Sequence, residues 1–132
     1  MRYTGRMFVM LTFALAACAG MDGAPVRYSN GVMTNNDGMS LYTFDRDIAG
    51  SGKSACNGPC AKIWPPFMAA ADAPAGGDWS VITRDDGSKQ WAYGGKPLYL
   101  WSKDQKPGDK TGDGFNNAWR IVKHEPSPPI SR

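Results

Sequence analysis

Residues 41–47 read Leu41-Tyr42-Thr43-Phe44-Asp45-Arg46-Asp47, and residues 98–104 read Leu98-Tyr99-Leu100-Trp101-Ser102-Lys103-Asp104. Both are Leu-Tyr-x-aromatic-x-x-Asp, at an offset of 57 residues. In a strand, residues two apart share a face. Tyr42 with Phe44, and Tyr99 with Trp101, therefore point one way, while Leu98 and Leu100 point the other. A segment apolar on both faces belongs in the middle of a fold. Asp47 and Asp104 fall where the strand runs out, where a carboxylate accepts from the N–H groups of the next loop. On this reading the aromatics fill the core and each Asp fixes a loop. The alternative is that the Tyr hydroxyls and Asp carboxylates of both phrases converge on a ligand.

The flanks repeat as well. Asn35-Asn36-Asp37-Gly38 precedes the first phrase and Gly94-Gly95 the second, and glycine accepts the positive φ of a tight turn. A Gly-rich loop and then a tryptophan follow each Asp, Trp64 in one unit and Trp119 in the other. This is a two-fold internal repeat, with each phrase predicted as the second strand of a hairpin. The second unit extends upstream through Asp85-Asp86-Gly87-Ser88, so 79–84, 89–93 and 96–102 read as a meander, and 119–123 as a further strand. Residues 60–70 hold a short helical turn, interrupted by Pro65-Pro66. The fold class is mainly β, a compact sandwich or partly closed barrel of six to eight short strands.

Arg2 and Arg6 open the chain, and Met7 to Ala17 is a low-polarity run about half the length of a spanning helix. It reads as the core of a signal peptide over 1–17. Leu15-Ala16-Ala17-Cys18 resembles the lipobox of bacterial lipoprotein signal peptides. That resemblance implies cleavage before Cys18, a lipid thioether on its sulfur and acylation of the new amino terminus. Two acyl chains already suffice for stable anchoring. The expected location is the cell envelope, tethered to the membrane through Cys18. In a Gram-negative host Ala19 points to the outer membrane, because an Asp there would resemble an inner-membrane retention signal. Residues 18–25 form the tether, 26–125 a single β domain of two repeats (about 26–70 and 79–124), and 126–132 a Pro-rich tail.

The formal charge of +3 is misleading, because two of the 15 basic residues lie in the leader, and the remaining 13 against 12 acidic residues leave a net of +1. No basic run or stripe exists, so nucleic acid is not an expected partner. Roughly 115 mature residues suit one domain with a modest core. Beyond Cys18, only Cys56 and Cys60 remain, in a C-x3-C loop turned by Gly58-Pro59. In an oxidising compartment they are expected to form a disulfide. A redox pair more often uses C-x-x-C, and zinc needs four ligands where His124 is the only histidine.

The first phrase, Cys56-Asn57-Gly58-Pro59-Cys60 with Trp64-Pro65-Pro66, the block from Asp86 to Asp104, and Pro107 to Val122 together resemble the bacterial secreted-repeat lipoproteins, named for their Tyr-x-aromatic-x-x-Asp motif. The resemblance covers nearly all of the mature chain. It marks Tyr42, Phe44, Asp47, Tyr99, Trp101 and Asp104 as the repeat motif, and it brings no established activity. Thr111 stands where Asn is common in that family.

Asp109, Thr111 and Asp113, with Gly114, resemble the first half of an EF-hand loop, but the twelfth position would be Arg120 instead of a bidentate Glu. A calcium-type site completed by Asp104 stays an alternative to a Gly-Asp turn network, and no cofactor is otherwise expected. Met33, Met39, Met68 and His124 are soft ligands without close spacing, and methionines more often fill cores. No Ser-His-Asp set, HExxH or phosphate loop occurs. The expected role is a non-enzymatic envelope lipoprotein that binds or scaffolds a protein or glycan partner, marked by an exposed aromatic patch for which Trp79, Trp91 and Tyr93 are candidates. A metal- or redox-linked accessory protein is the alternative. A hydrolase built on carboxylates such as Asp45/Asp47 or Asp85/Asp86 is the third reading.

Overall fold

A computed structural model describes residues 23–124. Cys18, the leader and the Pro-rich tail lie outside the described residues. Seven short strands form three small sheets: β1 (Val26–Ser29) with β2 (Val32–Asn35), β3 (Tyr42–Phe44) with β7 (Trp119–Ile121), and β4 (Trp79–Thr83), β5 (Lys89–Tyr93) and β6 (Lys96–Pro97) in a meander. All the pairings are antiparallel. The fold is mainly β, with two repeat-like units and sheets that do not close on themselves, as in a sandwich. A five-residue helix, α1 (Pro59–Ile63), starts on Pro59, whose missing N–H is no loss in a first turn. It ends at Trp64, just before Pro65-Pro66.

The strand expected over 96–102 is regular only over Lys96–Pro97, and β3 departs from a simple hairpin. Thr34 bridges Ser40, as the turn at 35–38 predicts, but Tyr42 onward pairs with β7 of the other repeat. The reason lies in three backbone bonds per repeat. The Leu41 N–H donates to the Met33 carbonyl, Met33 to Val122, and Val122 back to Leu41, at 3.0, 2.9 and 2.9 Å. In the second unit Leu98 donates to Trp91, Trp91 to Phe67, and Phe67 to Leu98, at the same three distances. Each closed triangle takes two segments from its own repeat and the third from the other. A segment that changes partner at every residue cannot extend a regular ladder.

Between the triangles, Tyr42 and Tyr99 exchange both backbone hydrogen bonds, each at 2.9 Å. A pseudo-two-fold axis passes through this pair. The alternation of Leu and Tyr then separates two cores. Met33, Leu41, Phe67, Trp91 and Leu98 form one; Tyr42, Phe44, Trp64, Tyr99, Trp101 and Trp119 dominate the other. The repeated phrase is the wall between them. Among the described residues no helix is long and apolar enough to cross a membrane.

Candidate functional site

The second core is a column of rings. Phe44 stacks on Trp119 with centroids 4.2 Å apart, Trp119 on Trp64 at 3.8 Å, and Trp64 on Trp101 at 4.0 Å. The order is palindromic: the motif aromatics Phe44 and Trp101 end the column, and the two post-loop tryptophans meet at its centre. Tyr42 packs T-shaped with Trp64, and Tyr99 with Trp119. Such edge contacts bring the positive ring rim to the negative face.

The tyrosine hydroxyls cross between repeats. Tyr42 donates to Asp104 Oδ2 at 2.7 Å, and Tyr99 donates to Asp47 Oδ2 at 2.6 Å. The other oxygen of each carboxylate holds the loop that follows it. Asp104 Oδ1 accepts from the Thr111 N–H and hydroxyl, and Asp47 Oδ1 from the Ala55 N–H. Burial, and then the hydrogen bond to the neighbouring carboxylate, raise the pKa of both phenols far above the ordinary 10.0. The motif side chains are thus occupied with one another, inside the protein. Gly112 is where the first pair permits no side chain: its amide donates to the Tyr42 hydroxyl, and an added Cβ would lie 2.7 Å from Trp64.

Sequence reading missed the polar network at the second pair. Because Tyr99 donates to Asp47, the Ser54 hydroxyl donates to Tyr99, at 2.6 Å. Arg84, 4% exposed, donates to Ser54, to the Gln90 side chain and to the Cys56 carbonyl. Its Nε is the one buried side-chain polar atom without a partner among the described residues. An arginine closing a strand before an Asp-Asp-Gly turn reads as surface, so no local signal marked it.

Cys56 and Cys60 form the expected disulfide. Beside it opens a cleft of about 450 Å³, lined by Cys60, Ile63, Trp64, Trp101, Ser102, Lys103, Phe115, Asn116 and Trp119. Phe115 and Ile63 are exposed at its mouth. Phe115 is carried by a tight turn in which Gly114, Asn116 and Asn117 all have positive φ. Of the three aromatics expected to form an exposed patch, Trp91 is only 3% exposed, and Trp79 and Tyr93 are half-buried against each other; at the cleft the exposed aromatic is Phe115.

The acidic loop turns its oxygens to separate tasks. Asp109 Oδ2 accepts from the Gln105 and Lys106 amides, which hold its carboxyl below the ordinary range, and Asp113 Oδ1 accepts from Ile121. Among the described residues no group of three or more His, Cys, Asp or Glu is arranged to hold a metal ion. Met33 is in the core, Met68 is exposed, and His124 packs at a tilt against Tyr28. Asp45 pairs with Arg120 on the surface, and Asp86 accepts from Ser88 within its hairpin turn. Neither carboxylate pair lines the cleft.

A family model described as a secreted repeat of unknown function matches the chain twice, over residues 26–68 and 80–123. No curated protein and no solved structure matches it.

Proposed function

The chain belongs to the family of secreted repeats of unknown function, in two tandem copies, and from that premise we propose an envelope-anchored lipoprotein that binds a ligand in the aromatic cleft beside the disulfide. Membership in a secreted family implies an extracellular or envelope location. The lipid on Cys18 supplies the anchor, at the outer membrane in a Gram-negative host. The observation that carries the binding role is the cleft itself: an apolar hollow with a few polar groups, backed by a column of stacked, closely packed rings. Such preformed apolar pockets are the usual seats of small ligands, and a rigid wall lowers the ordering cost of binding. The buried Tyr–Asp pairs act as scaffolding that fixes the column.

Two measurements test the proposal. Intact mass of the membrane-extracted protein is expected to show a chain beginning at lipidated Cys18; an unmodified Cys18 would sink the anchor. Titration with fractionated envelope extract, glycan and small-molecule fractions separately, is expected to change tryptophan emission in the wild type and not in Phe115→Ala. No response to any fraction, or equal responses in both proteins, would sink the cleft. A redox-linked accessory role is the second reading, because Cys60 lines the same cleft. It requires a reduction potential well above that of structural disulfides, which a glutathione titration measures.

A further inference from the structure

The groups around the cleft share one electrostatic character. Trp64 and Trp119 have both ring faces covered by neighbours in the column, so they offer the cleft only their edges, the positive part of an aromatic ring. Trp64, Trp101 and Trp119 line the cleft, and among the described residues none of their indole N–H groups has an acceptor. Lys103 adds a full positive charge, its ammonium 5.7 Å from the centroid of Trp101. The sole ion pair among the described residues joins Arg120 to Asp45, so Lys103 has no carboxylate partner there. No acidic residue lines the cleft.

We propose that the cleft takes a small aromatic carboxylate, its flat body against Phe115 and Ile63 and its anionic head at Lys103 and the indole N–H groups. This rests on the reading of the cleft as the binding seat. A sugar fits less well, because stacking of a sugar ring needs open aromatic faces, and the column has closed those of Trp64 and Trp119. A donor-rich apolar pocket instead favours an acceptor-rich guest, since the carboxylate replaces its lost water with charge-assisted hydrogen bonds.

The test uses the processed lipoprotein in lipid nanodiscs, labelled with 15N at the tryptophan indoles, which gives one signal for each of five tryptophans. 2-Naphthoate is the probe and neutral 2-naphthamide its control. The signals of Trp64, Trp101 and Trp119 are expected to move saturably with naphthoate, while those of Trp79 and Trp91 stay. Lys103→Gln is expected to weaken naphthoate about tenfold, the scale of one partly screened charged contact, and to leave naphthamide unchanged. Phe115→Ala is expected to weaken both. Equal affinity of the two probes for the wild type would overturn the anion assignment. No movement with either probe would overturn the ligand class. In both cases the envelope-fraction titration reports separately on whether the cleft binds anything.

Discussion

Tyr42 and Asp104 stand 62 residues apart and Tyr99 and Asp47 stand 52 apart, yet each pair shares a buried hydrogen bond. A phenol bonded to a carboxylate in a low-dielectric core is worth more than an exposed pair, and removing one partner strands the other. A double-mutant cycle of Tyr42→Phe and Asp104→Asn is expected to give a coupling of about 1.5–3 kcal/mol in urea denaturation. The same phenols set a pH dependence. Their folded pKa is raised, so the folded state holds protons that the unfolded state releases near pH 10. Stability is then fully present below that pH and is lost as pH rises beyond it. Unfolding midpoints between pH 8 and 12 are expected to fall in the wild type and to fall less steeply in Tyr42→Phe. Gly112→Ala drives a methyl into Trp64 and Trp101. It is expected to destabilise by about 1–3 kcal/mol, as overpacking does.

Among the elements, the disulfide and α1 were readable because their signals are local: two cysteines across a Gly-Pro turn, and a proline at each end of the helix. Closing so short a loop contributes about 2 kcal/mol in the chain-entropy model. Replacing Cys56 and Cys60 together by serine is expected to lower stability by about that amount and to loosen the cleft wall at Cys60. Thermal melts and the emission of the Trp column would show both. The hairpin of β4 and β5 was legible from alternation and Asp85-Asp86-Gly87. Strand β1 was not, although Asn30-Gly31 turns it into β2, because its residues are mostly exposed and offer no apolar stripe. Periodicity overstates the length of the strand after Gly95, because it reports which faces are apolar, not how many partners a backbone has. The cleft was illegible for a related reason. Its lining comes from α1, the second motif and the turn at Phe115, which only the tertiary fold brings together.

At the scale of the whole molecule, the repeat seen in the sequence is not the unit seen in space. Each triangle of backbone bonds borrows its third segment, Val122 or Phe67, from the other copy, and each motif tyrosine borrows its aspartate. The matched repeats end just past these borrowed segments, at residues 68 and 123. The duplication and its 57-residue offset were plain from residue identities, and so was the mainly β class. The exchange was not, since swapped and unswapped pairings place the same side chains in the same kinds of environment. A fragment of residues 18–71 or 72–132 is therefore expected to be unfolded alone, with no near-ultraviolet circular dichroism. Mixed together under oxidising conditions, the two are expected to complement each other and recover the spectrum of the intact chain, because every bond that crosses between repeats becomes a bond between fragments. The chain cut at its exposed connection near Ala71 would then behave as an obligate heterodimer, and its two halves as a split reporter whose assembly is read in the stacking of four rings.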